Sequence, residues 1–333
     1  MRRALPPGTP RIAIVLAFLL LLVAPPFLSS FLLALVTQAV IYSILAMSLD
    51  IILGYIGLAS LGHAAYLGVG AYSVGILATR HGAGFWATLA VGVLLATAVA
   101  AVFGLVALRA TGVYFLMITL ALGMVVWGLA HRWVSMTQGD NGISGVPRPD
   151  LGLPWSFAQG LPFYYLAFAA FLVAFGVLRV IVGSPFGKSL VGIRESESRM
   201  RTLGYHVWLH KYIGFMIAGG VGGFAGVLWA YYNGFVSPAD LELATSVEIL
   251  LMVALGGRGT LLGPALGAAL IVFLKNLVSV YTQRWLLILG AVYIGTIVYA
   301  PEGIVGAVRQ WTRPGEPPDV AALGARRPRR VAS

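Results

Sequence analysis

The sequence predicts an all-α fold, a polytopic bundle of about ten transmembrane helices with both termini in the cytoplasm. Of its residues, 59% are hydrophobic and the mean hydropathy is +0.91. Apolar runs of about 20 residues recur along nearly the whole chain, and each is long enough to cross a hydrocarbon core of about 30 Å as a helix. The 42 glycines favour close packing of these helices, because small residues let helix backbones approach in lipid.

The chain opens with a basic arm, residues 1–11, before the first apolar run at 12–24. Pro25 and Pro26, followed by renewed hydrophobicity from Phe31, indicate an uncleaved first span. The alternative is a signal peptide whose basic region is the arm. We place the transmembrane domain at 12–305 and expect the tail, 306–333, to be disordered and cytoplasmic because it is rich in Pro, Gly, Ala and Arg.

The apolar runs give the predicted spans in order. Two pieces, 246–257 and 260–275, are short, and Arg258 and several glycines separate them. They form either one interrupted helix or two spans joined by a tight turn; broken or half-depth helices are plausible there, because irregular backbone is tolerated where protein buries it. The other spans are predicted at 12–24, 31–53, 55–79, 84–108, 113–130, 162–182, 212–233 and 285–300.

Charge favours the ten-span topology. With ten spans and an N-terminus inside, 17 of the 22 Lys and Arg residues lie in the cytoplasm, as the positive-inside rule requires. The net charge of +11 therefore reports topology, since no basic stripe interleaved with aromatic residues indicates nucleic-acid binding. On the ten-span topology, the basic residues on the outer side of the membrane are Arg80, Arg132, Arg148, Lys275 and Arg284.

The chain contains no cysteine, which excludes disulfides and thiol nucleophiles.

A compact charged segment, residues 184–211, interrupts the apolar sequence. Its acids precede bases at helical spacing, Glu195 with Arg199 and Glu197 with Arg201, which favours one short helix. Gly204 is placed to end that helix in a left-handed cap. An apolar stripe of Ile193, Met200 and Leu203 accompanies the charges. We expect a protein partner rather than lipid headgroups, because anionic lipid repels the acids.

The start of this segment superficially matches a phosphate-binding loop. Gly183 and Gly187, followed by Lys188 and Ser189, are separated by three residues where the motif requires four. The segment also follows a membrane helix, whereas the motif follows a strand. We therefore expect no nucleotide binding by this chain in that manner.

Three ionisable residues within or beside the apolar runs are candidates for a translocation path: His63, Asp50 and Glu248. Ionisable side chains inside a membrane are functional candidates by default. The competing interpretation is solvation at the interface for the two acids, and a hydrogen bond between helices for His63. No row of buried acids indicates an ion relay, and no pattern indicates an intramembrane enzyme or a cofactor site.

One span carries two overlapping GxxxG patterns. Gly219 pairs with Gly223, and Gly222 pairs with Gly226. The pattern predicts close helix packing. It leaves open whether the neighbouring helix belongs to this chain or to another subunit.

Four blocks in order resemble one transporter family. They are GLASLGHAAYLGVGAY (57–72), TQGDNGISG (137–145), GKSLVGIRESESRMRTLGY (187–205) and SVEILLMVALGGRGTLLGPALGA (246–268). Together, over about residues 35–305, they resemble the inner-membrane permeases of branched-chain amino acid ABC importers, of the LivM type. Ser198-Arg199-Met200 is a mild departure, where the family has a small residue nearby.

The resemblance implies a multi-pass pore subunit of a bacterial plasma (inner) membrane that hydrolyses nothing and needs no cofactor. Implied partners are two cytoplasmic ABC ATPases, a second, LivH-like permease and a periplasmic binding protein. Branched-chain amino acids are the default substrate, with other amino acids, amides or urea as alternatives. The alternative functions are an ion-coupled secondary transporter and a non-transport scaffold. The resemblance makes 184–211 the ATPase-coupling loop, with Arg194, Glu195, Ser196, Glu197, Arg199, Arg201 and Gly204 as its contact residues.

Overall fold

The structure is a computed structural model that describes residues 18–152 and 160–281, together with Phe157 and scattered residues between 287 and 306. The predicted arm, residues 12–17 of the first predicted span, most of the last predicted span and nearly all of the tail lie outside the described residues. Ten helices are described between Ser30 and Tyr281. They are α1 (Ser30–Asp50), α2 (His63–His81), α3 (Phe85–Ala107), α4 (Val113–Arg132), α5 (Leu161–Gly183), α6 (Pro185–Glu195), α7 (Glu197–Thr202), α8 (Val207–Asn233), α9 (Leu243–Gly256) and α10 (Leu262–Tyr281).

Short elements complete the described chain. Helix α1 continues as a π-helix, Ile51–Ile56. The strands β1 (Ile143–Ser144) and β2 (Phe235–Val236) pair antiparallel, with Ile143 opposite Val236. This two-residue ladder is a small addition to the predicted all-α fold. Single helical turns lie at Pro25–Phe27, Val134–Thr137, Gly139–Asn141 and Pro238–Leu241.

Six of the described helices are long and apolar enough to cross a membrane: α1 with its π-helical end, α3, α4, α5, α8 and α10. Helix α9 has 14 residues and measures about 21 Å at 1.5 Å per residue, less than the hydrocarbon core. The piece predicted at 246–275 is two helices, α9 and α10, which pack against each other across the turn 257–261, and not one interrupted helix. The count of ten spans and the cytoplasmic termini stay predictions.

Helices α1 and α8 form the centre of the bundle. In an apolar stretch of 18 residues, 78% of the residues of α1 with its π-helical end and 72% of those of α8 are buried, against 22% of those of α4. Trp229 on α8 packs edge-on against Tyr42 of α1, and Tyr232 donates a hydrogen bond to the Ala34 carbonyl. The outer helices α3, α4 and α5 present apolar faces away from the bundle, as expected of helices surrounded by lipid or by other subunits.

The glycines of α8 pack against two helices of the same chain. A Cβ at Gly219 or Gly223 would collide with Ala100 or Ala96 of α3. The second pair faces α2 instead, where a Cβ at Gly226 would meet the Leu67 carbonyl and one at Gly222 would lie 3.1 Å from Tyr66 Cβ. Each GxxxG pattern therefore packs against a different helix, and both of these helices belong to the same chain.

The C-terminal end of α8 is anchored by a half-buried acid, Asp240. Trp229 Nε1 donates to Asp240 Oδ1 at 2.8 Å, and the Ser237 N–H donates to Oδ2 at 3.1 Å. Burial raises the pKa of Asp240, while the hydrogen bonds from Trp229 and Ser237 partly oppose that rise. The carboxyl group fixes the turn between β2 and α9.

Candidate coupling and translocation site

The charged segment folds as two short helices. Pro185 begins α6, and the Ser184 hydroxyl caps it by accepting from the Gly187 N–H at 3.3 Å. Proline suits this first position because its missing N–H has no helical partner there. Ser196 is extended, with φ −163° and ψ 101°, and its hydroxyl caps α7 by accepting from the Arg199 N–H. The chain therefore turns sharply between α6 and α7.

This break corrects the prediction of a single helix. Glu195 ends α6 and Arg199 belongs to α7, so their spacing no longer places them on one helical face. The salt bridges of the described residues do not include this pair. Glu197 and Arg201 do pair within α7, at 3.5 Å, and Glu197 also forms an ion pair with Lys211 at the base of α8.

The predicted apolar stripe is partly wrong, and the predicted cap is confirmed. Ile193 and Met200 form a buried cluster with Val207, whereas Leu203 is 66% exposed. Gly204 has φ +85°. The Tyr205 N–H donates to the Met200 carbonyl at 3.1 Å and the Gly204 N–H to the Arg201 carbonyl at 3.0 Å, which is the bonding of a glycine C-cap.

The predicted coupling residues divide into two groups. Arg194 lies inward, where its Nη1 donates to the Gly54 carbonyl at 2.5 Å. Ser196 and Glu197 are half-buried and hold the segment together. The solvent-exposed members are Glu195, Arg199, Arg201 and Gly204.

Asp50 is buried and holds a turn. Its Oδ1 accepts from the Gly259 N–H at 2.6 Å and its Oδ2 accepts from the Leu261 N–H at 3.2 Å. Those residues belong to the turn between α9 and α10. The solvated-interface interpretation is therefore wrong for Asp50, and its carboxylate is engaged by backbone.

His63 begins α2 in the interior of the bundle and is fully buried. Its Nε2 lies 2.7 Å from the Ser48 hydroxyl of α1, so the alternative of a hydrogen bond between helices is confirmed. The non-helical residues 57–62 precede it, and side chains accept hydrogen bonds from two of their N–H groups, as irregular backbone in a membrane favours. Thr119 accepts from the Leu61 N–H at 3.2 Å and Ser60 accepts from the Gly62 N–H at 3.3 Å.

Glu248 is also buried, and its partner is Lys275 of α10. The Lys275 Nζ lies 2.9 and 3.2 Å from the two carboxylate oxygens. The sequence prediction assigned Lys275 to the outer side of the membrane and did not pair it with Glu248, and it did not identify the contacts of Lys211 and Gly54. The available signal was a lysine at the end of the predicted span 260–275.

A bundle of long apolar helices with one structured, charged segment defines a multi-pass integral-membrane protein. A profile of the family described as branched-chain amino acid transport system / permease component matches residues 31–297. Similar proteins include the high-affinity branched-chain amino acid transport system permease proteins LivM of Escherichia coli and Salmonella typhimurium. They are 31% and 30% identical, over 88% of this chain and 74% and 75% of theirs. No solved structure matches the chain.

The chain belongs to this family of branched-chain amino acid permease components. It is a multi-pass membrane transport component and not an enzyme. The resemblance drawn from the four sequence blocks is thereby confirmed.

Proposed function

We propose that the chain is a membrane-spanning subunit of an ABC importer that carries branched-chain amino acids across the plasma membrane. The observation that carries the proposal is the family membership over most of the chain. Two ATPase subunits dock from the cytoplasm, a second, LivH-like permease completes the pore, and a binding protein delivers substrate from outside.

The ATPases dock on residues 184–211. This segment is suited to transmit force because both of its helices are capped, and because Glu197 ties α7 to Lys211 at the base of α8. A rigid segment passes a displacement on, whereas a floppy loop absorbs it. Closure of the ATPases around nucleotide then moves α6, α7 and the long helices joined to them.

Glu195 supplies an exposed docking charge. It ends α6, where the helix dipole disfavours an acid, and it has no ion pair among the described residues. A cation on the ATPase surface would pair with the Glu195 carboxylate and offset its unfavourable interaction with the helix dipole. Arg199 and Arg201 offer the complementary charge to acids of the same partner.

Translocation follows a weakly polar route, with selectivity left to the binding protein. Of the three proposed path residues, Asp50 and Glu248 are held by partners in the same chain, and only His63 retains a nitrogen, Nδ1, without a partner among the described residues. Tight stereospecific leucine binding by the permease alone would contradict this part of the proposal.

The proposal is tested by affinity purification of the tagged permease from its native membrane. We expect two ATPase subunits and one second permease to co-purify, and the reconstituted complex to take up L-leucine when ATP and the binding protein are present. Uptake driven by an ion gradient without ATP would indicate a secondary transporter, and recovery of neither ATPases nor uptake would indicate a scaffold.

Charge reversal at the two acids separates docking from folding. We expect Glu195→Lys to abolish ATPase co-purification and to lower L-leucine uptake about tenfold or more, as loss of a buried interfacial ion pair does, without changing thermal stability. Glu197→Lys should also lower stability, because Lys211 is 5% exposed and gains a like charge.

Glu242→Lys is the matched control, because Glu242 is exposed at the start of α9, at the other end of that helix from the coupling side. It should retain the ATPases. Equal loss of ATPases in Glu195→Lys and Glu242→Lys would contradict a docking role for Glu195.

A further inference from the structure

Three segments far apart in sequence meet beneath the coupling loop. They are the end of α6, the π-helical end of α1 and the turn 257–261 between α9 and α10. Arg194 donates to the Gly54 carbonyl at 2.5 Å. Asp50, one helical turn before Gly54, accepts from Gly259 at 2.6 Å.

Glycines let the three segments approach closely. A Cβ on Gly54 would collide with the Asp50 carboxylate and would lie 2.8 Å from Gly259 Cα. A Cβ on Gly57, which has φ +85°, would lie 2.7 Å from Arg194 Cγ, and one on Gly259 would lie 3.3 Å from Arg194 Nη1. Arg194 therefore packs closely between the end of α1 and the turn.

The turn depends on Asp50 for its shape. Leu261 is buried and has φ +56°, a conformation that residues other than glycine seldom adopt. Such backbone persists only where its surroundings hold it. The carboxylate of Asp50 supplies that constraint by accepting the N–H groups of both Gly259 and Leu261.

The helices on either side of the turn are joined a second time. The ion pair between Glu248 and Lys275 connects α9 to α10. A hairpin fixed by its turn at one end and by an ion pair further along moves as a unit. A displacement of the turn is thus passed to both helices.

We propose that Arg194 is a positioning residue that couples the ATPase-docking segment to the α9–α10 hairpin, through Gly54, Asp50 and the turn 257–261. The inference rests on the proposed function of the 184–211 segment. It assigns Arg194 a role distinct from that of Glu195: Glu195 binds the ATPase, whereas Arg194 conveys the ATPase's movement inward.

The first test measures uptake per ATP hydrolysed in the reconstituted complex. We expect Arg194→Gln to retain the ATPases and to hydrolyse ATP, while L-leucine taken up per ATP falls about tenfold, within the usual range of coupling between sites. Arg194→Lys, which keeps the charge and a donor, should restore part of the ratio. The matched control is Arg109→Gln, which removes an exposed charge at the cytoplasmic end of α3.

The second test starts from complexes that keep Arg194 and uses the absence of cysteine. Spin labels at Lys188→Cys on α6 and Arg258→Cys on the turn, both exposed, report the distance between the two segments. We expect that distance to stay constant between the nucleotide-free and the vanadate-trapped complex. In the Arg194→Gln background the distance should change or its distribution should broaden.

The outcomes distinguish this inference from the proposed function. If the wild-type complex holds no ATPase or takes up no L-leucine, the proposed function fails. If the wild type transports normally but Arg194→Gln keeps the wild-type ratio, the inference alone is overturned. A label distance that changes by several ångströms in the wild-type complex overturns it as well, whether or not Arg194→Gln folds.

Discussion

Replacing Gly226 with alanine will destabilise the permease by roughly 1–3 kcal/mol or more, the range found when extra atoms are forced into a packed core. The new Cβ would overlap the Leu67 carbonyl oxygen and lie 2.8 and 3.0 Å from Leu67 C and Cα. These are backbone atoms of α2, so they cannot move aside as the tip of a side chain can. Helices α2 and α8 must separate, although most residues of both are buried in the bundle.

The measurement is the midpoint of thermal unfolding of the purified chain in detergent, followed by tryptophan fluorescence and by size-exclusion chromatography. Gly176→Ala in α5 is the matched control, because no atom lies within 4 Å of its added Cβ. Alanine exceeds glycine in helix propensity by about 1 kcal/mol in soluble helices. We therefore expect the control to be unchanged or slightly stabilised, and equal losses in both variants would contradict the packing argument.

The same glycines show what the sequence predicts and where it stops. Spacing alone predicted that Gly219, Gly222, Gly223 and Gly226 mediate close packing, because this is what small residues do in lipid. Spacing did not identify the partners, since two faces of one helix meet α3 and α2, and those contacts depend on how all the helices are arranged.

The charged segment was predicted in outline but not in detail. The Gly204 cap and the Glu197–Arg201 pair are local, and both were read correctly from spacing. The break at Ser196 was also readable in principle, since serine followed by an acid in the first turn is typical of a helix start. The i,i+4 spacing of Glu195 and Arg199 outweighed that signal and produced the wrong prediction of one helix.

Contacts between residues far apart in the chain could not be predicted from the sequence. Asp50 and Gly259 are 209 residues apart, and Arg194 and Gly54 are 140 apart. A single sequence contains no record of such contacts. The three path candidates were therefore chosen on chemistry alone, and the structure gives two of them partners that occupy their charges.

Removing Lys275 should destabilise the hairpin of α9 and α10 more than neutralising Glu248 does. In Lys275→Met the Glu248 carboxylate, only 6% exposed, loses the cation that compensates its burial. Breaking a buried pair in this way costs about 3–5 kcal/mol in soluble proteins, whereas hydrogen bonds between membrane helices average about 0.6 kcal/mol. We expect a loss between these values, because the pair is only partly buried: the Lys275 side chain is 30% exposed.

Glu248→Gln should cost less, because the glutamine carbonyl still accepts a hydrogen bond from Lys275, and because the Lys275 side chain, 30% exposed against 7% for Glu248, is the less buried partner. The double variant Glu248→Gln/Lys275→Met should recover part of the loss seen in Lys275→Met, since it leaves no buried charge. The thermal midpoints of the three variants and the wild type form a double-mutant cycle. If the stability losses of the two single variants simply add in the double variant, the ion pair does not hold the hairpin together. One of the two connections that make α9 and α10 move as a unit would then be absent.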